Sequence, residues 1–83
     1  MDDKRTLDEL KDLGSGLPAT AEVTRLYQRA FDEFGARALW STRRIEHPSA
    51  AAALAITESL RVEGNLAARR LAEQIEQACR AAL

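Results

Sequence analysis

The sequence predicts an all-α domain: a small bundle of three main helices, a short helix at the N-terminus, and a C-terminal αα-hairpin. Three observations predict it. Apolar residues recur at three- and four-residue steps through residues 18–34, 50–62 and 66–82, the period of a helix with a buried face. Thr6, Ser49 and Asn65 stand where helices start, and each can cap free backbone N–H groups. No segment of useful length alternates apolar and polar residues as a half-buried strand does.

The first helix is short, residues 6–13. Thr6 and Glu9 form a capping box, and Leu7, Leu10 and Leu13 fall on neighbouring turns. Gly14 suits the left-handed end of a helix, and GSGLP reads as a turn. The second helix is expected over residues 18–34, with Pro18 in its first turn, where a missing N–H is harmless. Val23, Leu26, Tyr27, Ala30, Phe31 and Phe34 share its apolar face. Gly35 is a plausible stop, although the face can continue through Ala38, since one glycine costs only about 1 kcal/mol against alanine. Leu39 and Trp40 leave that face.

Residues 41–49 connect, because Pro48 disfavours helical geometry at His47. Ser49 then caps a third helix, residues 50–62, opened by four alanines that let another backbone approach closely. Ala53, Ile56 and Leu60 share one face while Leu54 and Val62 lie off it, which makes this the central helix. Gly64 and Asn65 mark a sharp boundary. The fourth helix, residues 66–82, is the most regular. Ala68, Leu71, Ala72, Ile75, Ala78, Cys79 and Ala82 form its apolar stripe.

At 83 residues the chain reads as one domain, residues 1–83, and a chain of this size buries only about 60–65% of its unfolded surface. The apolar share is 46%, but 16 of those residues are alanine, and Leu, Ile, Val and Phe number only 18. A core this thin gains stability from a second copy or a partner. Net charge is −1, without the basic excess of a free-standing nucleic-acid binder. Residues 1–34 carry eight acids and five bases; residues 35–83 carry seven bases and five acids. The charged start, MDDKR, has no apolar run behind it, so no signal peptide is expected, and no stretch is long enough for a membrane helix. A cytoplasmic location follows as the expectation. Ten arginines against two lysines, among many alanines, point to a GC-rich bacterial gene.

Chemistry is sparsely provided for. His47 is the single histidine, with only Glu46 beside it, and sequence neighbours do not face each other on a helix. Cys79 is the single cysteine, and its place on the apolar stripe makes it a small core residue. One His and one Cys give no zinc spacing; Asp8 and Asp12 lack the glycine-centred oxygen loop of a calcium site. No phosphate-binding glycine loop is present. No catalytic residue, cofactor or metal is therefore expected.

Two binding readings remain. The hairpin of residues 50–82 could act as a helix-turn-helix with Arg69 and Arg70 in the first turns of its second helix. Glu73 and Glu76 share their face and repel phosphate, so nucleic acid is the weaker expectation. The favoured reading is a non-enzymatic protein-interaction module. It would self-associate, or act as a regulatory or antitoxin-like partner of another protein. The expected contact residues are Trp40, Arg43 and Arg44 at the corner, since Trp and Arg are enriched at interface hot spots. Leu71, Ile75 and Ala78 join them on the fourth-helix stripe, as a homodimer seam. At the corner, Trp40 is expected to fold back over the third helix, with Arg43, Arg44 and His47 pointing to solvent.

Overall fold

The computed structural model describes residues 4–83 and is all-α. Its helices are α1 (Leu7–Gly14), α2 (Ala21–Ala38), α3 (Ala50–Glu63) and α4 (Leu66–Ala82). Each begins at a side-chain cap. Thr6 accepts the Glu9 N–H, Thr20 the Val23 N–H, Ser49 the Ala52 N–H and Asn65 the Ala68 N–H. One orphan donor per helix is thereby satisfied. The charged start, on which the signal-peptide expectation rests, lies partly outside the described residues.

The cap at Thr20 corrects the expected start of α2. Pro18 does not open the helix; it pairs with Ser49 in an isolated antiparallel bridge. The Ala19 N–H donates to the Pro48 carbonyl and the Ala50 N–H to the Leu17 carbonyl, both at 3.0 Å. These bonds tie the α1–α2 connection to the α2–α3 connection and set the first turns of α2 and α3 side by side. At its other end α2 runs through Gly35 to Ala38. Ala38 and Leu39 are both buried, and that burial outweighs the modest penalty of a glycine within a helix.

The helix that reads as apolar on more than one side is the centre of the fold. α3 packs against α1, α2 and α4, and α2 packs on α4. Ala53, Leu54, Ile56 and Leu60 of α3 meet Val23, Leu26, Tyr27 and Ala30 of α2 and Leu71 and Ile75 of α4 in one buried cluster. Thr57 is buried too, and its hydroxyl donates to the Leu54 carbonyl at 2.6 Å, so no polar atom is stranded there. α1 contributes the fully buried Leu10, while Leu13 is left half-exposed.

Two glycines work by closeness and not by a left-handed backbone, which no described glycine adopts. A Cβ on Gly14 would lie 2.8 Å from Ala50 Cβ and 3.0 Å from the Ala51 nitrogen, so α1 rests directly on the alanine-rich start of α3. A Cβ on Gly64 would collide with Ala68 Cβ and the Leu60 carbonyl, which keeps the α3–α4 turn tight.

Candidate functional site

The corner after α2 is built around Tyr27. Its ring is buried, tilted against Phe31 at 5.1 Å between centroids. Its hydroxyl accepts the Ile45 N–H at 3.1 Å. One turn along, the Gln28 side-chain amide donates to the carbonyls of Ile45 (2.9 Å) and Glu46 (3.3 Å). Arg44 completes the strap. It donates to Gln28 Oε1 at 2.5 Å and to Asp32 Oδ1 at 2.9 Å, and its guanidinium lies 5.8 Å from the Phe31 ring centre. Residues 44–46 are therefore laced to the outer face of α2, although they belong to no regular element.

This lacing separates the two arginines that the sequence puts side by side. Arg44 is turned onto α2, which corrects the expectation that it points freely to solvent, while Arg43 is exposed. Trp40 is also corrected. It does not fold over α3; 71% of its surface is exposed, whereas its neighbour Leu39 is 2% exposed. The space above the opening alanines of α3 is filled instead by Gly14 and the end of α1. His47 and Glu46 sit 4.0 Å apart with both side chains almost wholly in water.

The fourth-helix residues lie elsewhere. Leu71 and Ile75 are buried in the chain's own core, so they are not accessible as a seam in this fold. Ala78 is half-buried at the edge of the groove between α2 and α4. The structure thus does not bring the corner and the α4 stripe into one site.

Cys79 is buried, and its thiol is pushed up from 9.0 to about 11, first by burial and then by the nearby Glu76 charge. A thiol so disfavoured as thiolate is a poor nucleophile. Among the described residues, no three His, Cys, Asp or Glu side chains are gathered to hold a metal ion. No helix is long and apolar enough to cross a membrane. Arg69 bends back to donate to the Arg61 carbonyl at 3.3 Å, whereas Arg70 lines the α2/α4 groove. The pair is split between two surfaces, and Glu76 is drawn to Arg61 (3.5 Å) and Arg80 (3.7 Å).

Sequence reasoning missed the residues that shape the corner, Tyr27, Gln28 and Asp32. Gln28 and Asp32 are four apart on the polar face of α2, and that spacing is the signal that a loop could be clasped there. Fold and corner together define a small all-α domain that offers an exposed aromatic. Comparison with protein-family models, curated proteins and solved structures returns no match.

Proposed function

We propose that this chain is a non-catalytic protein-interaction module that grips a protein partner at its corner, with Trp40 as the anchor. The observation that carries the reading is the 71% exposure of Trp40. A chain with 18 large aliphatic and Phe residues has few to spare, yet its single tryptophan is left outside the core. Trp is usually well buried, and its exposed use is typical of interface hot spots. The anchor is also preorganised. Its chain neighbour Leu39 is buried, and residues 44–46 of the loop that follows are held by Tyr27, Gln28 and Arg44, so little loop entropy is lost on binding. Exposed Arg37 and Arg43 flank it, which favours an acidic rim on the partner.

The burial of Leu71 and Ile75 in the chain's own core favours a partner at the corner over a homodimer through α4. The partner is another chain, in keeping with a regulatory subunit. A photo-reactive phenylalanine analogue placed at position 40 in living cells tests this, with the same analogue at Val62 as control, since Val62 is 80% exposed but far along α3. The expected result is one discrete adduct from position 40 that position 62 does not give. The same set of adducts from both positions, or none from position 40, would overturn the proposal.

A further inference from the structure

We propose that the groove between α2 and α4 is a second docking surface, taking one amphipathic helix of a protein partner whose flanks are acidic. Two adjoining hollows of about 630 Å³ and 350 Å³ run along this groove and share Gln74. The apolar surface they leave open comes from half-buried Phe34 of α2 and Ala78 of α4, with Leu26 and Leu71 almost wholly buried beneath. At one end Leu66 stands 63% exposed with no chain over it.

The walls decide the charge of the occupant. Arg29 and Glu33 neutralise each other in an ion pair of 3.0 Å. Glu22, in the first turn of α2, lines the same hollow as Arg25, so the two hollows together carry three arginines against two glutamates. Arg25 on one wall and Arg70 on the other are exposed and make no hydrogen bond or ion pair among the described residues. Two unpaired cations on opposite walls above an apolar floor match carboxylates on both flanks of an apolar stripe.

The backbone decides its conformation. Both walls are helices whose backbone groups are bonded within the helix, so the groove offers no strand edge for an extended peptide to pair with. A helix brings its own backbone bonds and presents side chains only. The 17 residues of α4 span roughly 25 Å, enough for about four turns of a partner helix. This surface is independent of the corner, and either can stand without the other.

The test is an amide-shift titration of the folded protein with a helical peptide of about 18 residues. Leucines at i, i+3, i+4 and i+7 form its stripe and glutamates its flanks; a second peptide carries lysines in place of the glutamates. The expected result is saturable binding of the acidic peptide, with shifts confined to α2 and α4. The lysine peptide binds about tenfold more weakly or not at all. Arg25→Glu with Arg70→Glu reverses that preference, while Trp40→Ala leaves it unchanged. Both arginines are exposed, so the double variant keeps the fold, which its own spectrum verifies. No binding, equal affinity for both peptides, or shifts centred on residues 40–47 would overturn the groove proposal. The last outcome would leave the corner reading intact.

Discussion

Leu39 and Trp40 are consecutive, and they meet opposite fates. Leu39 closes the end of the core and Trp40 stands in water. Trp40→Ala is therefore expected to change stability by no more than about 0.5 kcal/mol, as surface substitutions do. Its thermal midpoint should match the wild type. Ile75 is the contrasting case. It is fully buried between α2 and α3, and Ile75→Ala should destabilise the fold by about 2–5 kcal/mol. Denaturant titration of both variants checks the pair. Cys79 gives a pH signature. Its unfolded thiol ionises near 9 and its folded thiol near 11, so the folded state holds a proton that unfolding releases. The stability this contributes is whole below pH 9 and is lost as pH rises towards 11. Unfolding curves across that window should lose this slope in Cys79→Ala.

At the scale of elements, Arg43 and Arg44 separate. Arg44 joins the 42–49 connection to α2 through Gln28, Asp32 and Phe31, but its pair with Asp32 is half-exposed and so of modest strength. Arg44→Ala is expected to cost about 1 kcal/mol, from the charged hydrogen bonds it makes, and Arg43→Ala close to nothing. Amide exchange at Ile45 should quicken in the first variant and not in the second. Gly14 sets local preference against packing. Alanine there gains about 1 kcal/mol of helix propensity, yet its Cβ would stand 2.8 Å from Ala50 Cβ. Overpacking of this kind costs about 1–3 kcal/mol, so Gly14→Ala should lower the melting temperature, not raise it.

For the whole molecule, the deciding quantity is how much apolar surface one chain can bury by itself. The α4 stripe, α3 and the inner face of α2 saturate one another, which leaves no complete apolar face for a coiled-coil seam. Light scattering after size exclusion should give a mass near 9.2 kDa at micromolar concentration, and a dimer would show that the chain pairs through a surface other than α4. Two features at the edge of the core are the corner at Trp40 and the groove between α2 and α4. Both are placed by helix ends and helix edges, away from the seam that periodicity alone favours.

The sequence by itself determined that this chain is helical, where three of its helices begin and which helix is central. Those are local matters: a cap at Thr6, Ser49 or Asn65 bonds a group three residues away, and a 3.6-residue stripe depends only on spacing. It also showed the Leu71–Ile75 stripe, but not which surface would cover it. Only the tertiary structure decided that α3 and α2 take that stripe, that Pro18 bridges to Ser49 and leaves Thr20 to start α2, and that α1 fills the space meant for Trp40. Each of these is a competition between segments far apart in the chain for the same apolar surface or the same backbone partner. Spacing along one helix cannot rank such competitors, because burial depends on what arrives from elsewhere in the fold.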